Sequence, residues 1–261
     1  GKDIISFCIG QPDFHTPKNI RDAAIKAINE GKHGYTPSAG ILELREAAAN
    51  YLNRTRQISV SADDIVVGAG AKPFIAYSIL SVTDYGAGDE VIFPNPGFPI
   101  YESQIRAHGA VPIPIHLRES RDFSFDPAEL GKKITPKTKL LILNSPQNPT
   151  GGIIAKKDME AIAAILRRHT QVWVFADEIY SQLCYDGEFV SLARFPDMLE
   201  RTIISDGASK TWAMTGWRLG FTANRALAPV FTRWVTNTDS CASQITQGAA
   251  AEAMNGPRAE A

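Results

Sequence analysis

The chain has 261 residues, 27 Lys and Arg against 28 Asp and Glu, and 44% hydrophobic residues. That is one large or two modest domains of ordinary globular composition, which excludes disorder, collagen and coiled coil. A net charge of −1 argues against a nucleic-acid partner, and no apolar run nears the roughly 18–20 residues that cross a membrane.

In chain order, residues 4–14 are expected to lie outside the main sheet. Thr16-Pro17 reads as an N-cap followed by Pro at the first helical position, with Ile20, Ala23, Ala24, Ala27 and Ile28 on one face. Gly31 stops that helix. A second helix starts at about Ile41 and carries Leu44, Ala48 and Leu52 on its stripe. Further helices are expected over 73–81, 101–108 and 158–168. Short β-branched runs at 65–67, 91–93, 111–115, 140–143, 172–175 and 202–204 read as strands. Most lack polar alternation, so they are expected to be buried on both faces. The fold class is therefore α/β, a mainly parallel central sheet with helices on both faces.

Polar residues collect after the strands. Residues 65–67 are followed by Gly68-Ala69-Gly70-Ala71-Lys72-Pro73, and 140–143 by Asn144-Ser145-Pro146-Gln147-Asn148-Pro149-Thr150-Gly151. The next two strands lead into Asp177-Glu178-Ile179-Tyr180 and Ser205-Asp206-Gly207-Ala208-Ser209-Lys210. Ligands of open α/β sheets bind outside the carboxyl ends of the strands. Four strand ends thus offer a glycine turn, an amide, a carboxylate and a lysine to one crevice, the pattern of an enzyme site.

Each piece alone has a plainer reading. The glycine turn is either a tight strand-to-helix connection or a phosphate cradle; Pro73 stands where a dinucleotide fingerprint wants its third glycine. Asn148-Pro149-Thr150-Gly151 is also an ordinary turn. Asp177-Glu178 also suits a helix cap, and Lys210 a solvated loop. Thr211 spoils a GxSxG nucleophile pattern. The five histidines lack ligand spacing, so no metal site is expected. Cys8, Cys184 and Cys241 are odd in number and far apart, which favours thiols over a disulfide framework. Residues 1–10 lack a basic flank with a long apolar stretch, so no signal peptide and a cytoplasmic location are expected.

Taken in order, these segments resemble a fold-type-I pyridoxal-phosphate enzyme of the class I aminotransferase family. The resemblance runs from Ile9-Gly10-Gln11-Pro12-Asp13-Phe14 to about Gly248. Its strongest piece is Ser209-Lys210-Thr211-Trp212-Ala213-Met214-Thr215-Gly216-Trp217-Arg218-Leu219-Gly220. The likeness implies residues 1–14 as part of a small domain and 15–261 as the cofactor-binding large domain. The family segment that completes the small domain and binds the substrate α-carboxylate would then lie beyond Ala261.

The resemblance also implies roles. Lys210 matches the lysine that holds the cofactor, Asp177 the anion beside the ring nitrogen, and Asn148 and Tyr180 the pair on the ring's phenolic oxygen. Gly70, Ala71 and Lys72 match the phosphate cradle, where backbone N–H groups open a helix. Arg218 matches the phosphate-binding arginine, and Phe98 the ring that stacks on the pyridine. Tyr35 resembles a residue reaching the neighbouring subunit's phosphate, which implies a homodimer with a composite site. Many relatives carry Ser where Gly207 stands, so that phosphate bond is missing or comes from Ser209.

Gly10 and Asn148 are expected to position substrate, and Lys72 matches a lysine that in one family branch contacts an acidic substrate's distal carboxylate. The implied activity moves an amino group between an L-amino acid and a 2-oxo acid, with Lys210, Asp177 and Tyr180 as catalytic groups. A non-catalytic pyridoxal-phosphate effector domain of a regulator, or a related lyase or synthase, shares these motifs.

Overall fold

The computed structural model describes residues 4–5 and 9–257. Seven strands form one sheet: β1 Ile65–Gly68, β2 Glu90–Asn95, β3 Val111–His116, β4 Thr138–Asn144, β5 Trp173–Asp177, β6 Thr202–Gly207 and β7 Gly220–Ala223. Their spatial order is β1-β7-β6-β5-β4-β2-β3, with β7 alone antiparallel to its neighbours. The helices are α1 Lys18–Asn29, α2 Leu42–Arg56, α3 Pro73–Val82, α4 Ile100–Ala107 and α5 Pro127–Lys133. After them come α6 Lys156–Arg167, α7 Ala208–Thr211, α8 Ala228–Thr238 and α9 Gln244–Asn255.

Strand side chains alternate between faces, and the core divides accordingly. Val91, Phe93, Leu140, Ile142, Phe175 and Ile203 face one way, onto Phe74 and Ile79 of α3, Tyr101 and Ile105 of α4, and Phe231 of α8. The intervening Ile92, Leu141, Leu143 and Val174 face the other way, onto Leu130 of α5 and Met159, Ile162 and Leu166 of α6. Beyond them on that second face, Ile65, Val67, Ile204 and Phe221 meet α1, α2 and α9 through Ile20, Leu44, Leu52 and Ala250. With both faces covered, the central strands need apolar residues at every position. The α/β class read from the sequence holds.

The strand β3 differs. Proline lacks an N–H donor and is tolerated where no partner strand needs one; Pro112 and Pro114 place β3 at the sheet edge, where Val111 is exposed. The expectation of burial on both faces fails there. Two details of α1 also differ. The helix begins at Lys18 with Pro17 in the cap position, while Thr16 donates to the Ala213 carbonyl and accepts from the Trp217 indole. Ile28 points to solvent, leaving Ile20, Ala24 and Ala27 as the buried stripe.

Strand β7 escaped the sequence reading, as did α5, α8 and α9. Four residues are too short to show a period, and the value of β7 lies in its glycine. Gly68, Gly220 and Gly207 stand side by side across β1, β7 and β6. A Cβ on Gly220 would overlap the backbone of Gly70 and Ala71. The glycine row therefore lets the turn after β1 lie directly on the end of the sheet. A serine at 207 would force the β7 backbone to shift, since its Cβ would stand 2.9 Å from the Gly220 Cα and the Leu219 carbonyl oxygen.

Candidate active site

A cleft of about 820 Å³ opens at the carboxyl ends of β1, β4, β5 and β6. It is lined by Gly10, Ala71, Lys72, Phe98, Asn148, Asp177, Tyr180, Ser209, Lys210 and Arg218, among others. Four distant stretches of sequence thus reach one place, as the strand-end pattern implies. Register explains part of it: Asn144 pairs with Asp177, so β4 and β5 finish level, and Asp177 pairs with Ser205, two residues before β6 ends at Gly207.

Asp177 is buried at the end of β5. One carboxylate oxygen accepts a 2.7 Å bond from the Tyr101 hydroxyl; the other, Oδ1, has no partner. Burial raises its pKa to about 6 against the pull of the Tyr101 hydroxyl, while neighbouring Glu178 raises it further. A buried acceptor without a donor costs free energy unless a ligand supplies one. Asn148 donates to the Tyr180 hydroxyl at 3.2 Å, and its own backbone N–H is held by Asn144 Oδ1. Burial and Asp177 raise the Tyr180 pKa, opposed by the Asn148 bond.

Lys210 sits in the single turn of α7. Its Nζ donates to the Gly10 carbonyl and lies 5.8 Å from the centre of the Tyr180 ring. Burial lowers its pKa, helped by the nearby cation Arg218. Across the cleft, Gly70 adopts a left-handed φ of +94°. Its bare Cα faces Arg218, and any Cβ there would overlap the guanidinium. Arg218, also left-handed at φ +54°, anchors Nη1 on the Thr215 carbonyl at 2.8 Å. The remaining N–H groups stand beside the N-terminus of α3, where an anion is favoured. Lys72 Nζ lies 5.5 Å over the Phe98 ring, which packs edge-on against Tyr101.

Tyr35 is not brought here. It is 91% exposed and lines a separate hollow with Cys241 and Gln244. The sequence reading missed Tyr101 and Asn144. It also missed a buried ionic cluster behind the strand ends: Arg56, Glu178, Asp206 and Ser181. Only Glu178 carried a signal, as half of an acidic pair. Cys184 and Cys241 are free thiols, and Cys8 lies outside the described residues. No helix among the described residues is long and apolar enough to cross a membrane.

A lysine of lowered pKa, a buried carboxylate and a glycine turn at the carboxyl ends of this sheet define the architecture of fold-type-I pyridoxal-phosphate proteins. Residues 2–261 match the family described as aminotransferase class I and II, and the chain belongs to that family. It is 40% identical over 256 residues to a bifunctional aspartate aminotransferase and glutamate/aspartate-prephenate aminotransferase of Petunia hybrida, covering 97% of this chain and 53% of that one. An aspartate aminotransferase of Geobacillus stearothermophilus is 38% identical, with 99% and 66% covered.

Among solved structures, an aromatic aminotransferase from Pyrococcus horikoshii superposes with a TM-score of 0.94 at 38% identity, over 99% of this chain and 69% of that one. Thermus thermophilus aspartate aminotransferase with maleate gives 0.90 at 35%, over 95% and 64%. The chain spans about half to two thirds of the length of the curated relatives named here. Pyridoxal phosphate is the cofactor expected of a member of this family.

Proposed function

We propose that the protein containing this chain transfers an amino group between an L-amino acid and a 2-oxo acid, using pyridoxal phosphate held by Lys210. The observation that carries this is Asp177 Oδ1, a buried acceptor without a donor on the wall of the cleft that holds Lys210. A protonated ring nitrogen is the donor that oxygen lacks. The bound cofactor supplies an electron sink for charge developing at the substrate α-carbon.

The chain's own groups do the rest. Ionised Asp177, oriented by Tyr101, keeps the ring nitrogen protonated. Asn148 and Tyr180 donate to the phenolic oxygen. Phe98 flanks the ring face. Gly70, Ala71, Lys72 and Ser209 supply phosphate donors, and Arg218 the countercharge. Lys210 Nζ is favoured in its neutral form by burial and Arg218, so it takes the α-carbon proton as general base and returns a proton as general acid. Gly10, beside Lys210, and Asn148 position the substrate. Residues 15–261 form the large domain and 1–14 belong to the small one, with Tyr35 completing the site of a second copy in a cytoplasmic homodimer. The exposure of Tyr35 supports that last role.

Single amino acids added to the cofactor-loaded protein test the reaction class. Conversion of the cofactor absorbance to the pyridoxamine form is expected. Ammonia or a 2-oxo product released without an acceptor would instead mean elimination, and an unchanged spectrum a sensor. Arg218→Ala is expected to weaken cofactor retention by about 2 kcal/mol, roughly thirtyfold, the scale of a charge-assisted hydrogen bond. Its dissociation constant for pyridoxal phosphate reads this directly.

Lys72 sets the substrate class in this reading. Its backbone faces the phosphate turn while its exposed ammonium reaches over Phe98, free of any ion pair among the described residues. Such a point charge suits a distal carboxylate. Lys72→Ala is expected to cost about 2–4 kcal/mol of transition-state binding for aspartate and little for phenylalanine. A uniform fall in kcat/KM for both would assign Lys72 to the cofactor instead.

A further inference from the structure

Behind the cleft, α2 ends in a fully buried arginine. Arg56 Nε donates to Glu178 Oε2 at 3.0 Å, and Nη2 donates to Ser181 Oγ at 2.6 Å and to Asp206 Oδ2. These three partners flank the residues that carry the proposed chemistry, while Nη1 donates to Thr55 Oγ1 at 2.7 Å within α2. Glu178 follows Asp177, Ser181 follows Tyr180, and Asp206 stands four residues before Lys210. Further bonds stiffen each attachment: Asp206 Oδ1 accepts from the Gly207 N–H at 2.7 Å, Glu178 Oε1 from the Ser191 hydroxyl at 2.6 Å, and the Glu178 N–H donates to the Ser205 carbonyl at 2.9 Å. The guanidinium carbon also lies over the Tyr51 and Phe189 rings, each centroid 5.2 Å away.

We propose that Arg56 is a positioning residue: its planar fork clamps the β5 and β6 ends together and so sets Lys210 against Asp177 and Tyr180. The proposal rests on the cofactor reading for what those three residues do, and on geometry alone for their placement. Planarity matters here, because one guanidinium directs donors along several fixed vectors at once, which a lysine ammonium does not. The arrangement is also poorly optimised for stability. Two buried carboxylates share one cation, and burial raises the Asp206 carboxyl to about 7 despite Arg56. Apolar residues would fill such a site at lower desolvation cost. A role in holding the two strand ends accounts for the ionic cluster.

The test is the pH dependence of Lys210 labelling by trinitrobenzenesulfonate, a reagent of neutral amines, in the 261-residue chain, with the site mapped by mass spectrometry. Arg56→Lys keeps the charge and removes the fork. Asp206→Asn keeps the shape and removes one anchor, so a folded variant is available if the other fails. With the clamp released, the Lys210 turn relaxes toward water and its labelling midpoint is expected to rise by about one pH unit in each variant. That is a tenfold loss of neutral amine at a given pH below the midpoint.

Electrostatics alone predicts otherwise: no change for Arg56→Lys, and a fall for Asp206→Asn as an anion is removed. A merely structural role would lower Tm with both midpoints unmoved. Either pattern overturns the proposal. Failure of borohydride to fix pyridoxal phosphate on wild-type Lys210 would overturn the cofactor reading, and the labelling midpoints would still decide the role of Arg56.

Discussion

Lys210→Ala is expected to abolish covalent attachment of pyridoxal phosphate completely while leaving the fold and its Tm nearly unchanged. Lys210 makes no ion pair among the described residues; its one hydrogen bond goes to the Gly10 carbonyl. Burial opposes its charge, so removing the ammonium relieves a desolvation cost and forfeits one contact. Its methylenes line an open cleft rather than a packed core. Alanine also suits the single turn of α7 better than a long side chain. Borohydride reduction of the loaded protein followed by peptide mapping reads the outcome. A pyridoxyl label on another lysine of the wild type, Lys72 above all, would sink the assignment.

Asp177→Asn separates stability from chemistry. The Asp177 carboxyl is raised to about 6 in the folded chain by burial, against an ordinary value near 3.9 when unfolded. Between about pH 4 and 6 the folded state therefore binds the additional proton, and stability falls as pH rises through that window. Above it the cost is constant. Each pH unit of that displacement is worth about 1.4 kcal/mol, so the ionised carboxylate costs about 2–3 kcal/mol at pH 8. Asparagine is uncharged, nearly isosteric and still able to accept from Tyr101.

Urea unfolding of the cofactor-free variant should show a gain of about 2–3 kcal/mol at pH 8 that vanishes near pH 4. Cofactor chemistry should move the other way, with the single-turnover rate falling about 100–1,000-fold, the scale of losing one preorganised charge. A variant that is stabilised and fully active would show that no cation meets Oδ1. Equal stability at both pH values would show that the carboxylate is solvated rather than buried.

Much of the site is legible in the sequence because its parts are local. A glycine turn opening a helix at Pro73, an Asn-Pro turn, an acidic pair and the Ser209-Lys210 segment each follow a short apolar run. In a parallel sheet every such run delivers its next residues to the same edge. Strand direction alone brings them there, whatever the strand order. Lys72, Asn148, Asp177, Tyr180 and Lys210 reach one cleft in this way, while Arg218, which also lines it, is legible only through the family resemblance. Tyr35 shows the limit. Nothing near it in sequence brings it to the chain's own cleft, and the structure leaves it exposed elsewhere.

The sequence by itself determined the α/β class, the family resemblance and which residue types line the carboxyl ends of the strands, because periodicity and turn chemistry act within a few residues. Only the tertiary structure decided the contacts that tune them. Tyr101 reaches Asp177 across 76 residues, Arg56 reaches Asp206 across 150, and Lys210 meets Gly10 across 200. The three aligned glycines of β1, β7 and β6 likewise exist only once β7 has folded back between its neighbours. Such pairings depend on which strand lies beside which, a choice made by burial of the whole core. A buried arginine and a solvated one are written with the same letter, and α2 ends with one of each: Arg54, exposed, and Arg56, sealed beneath the site.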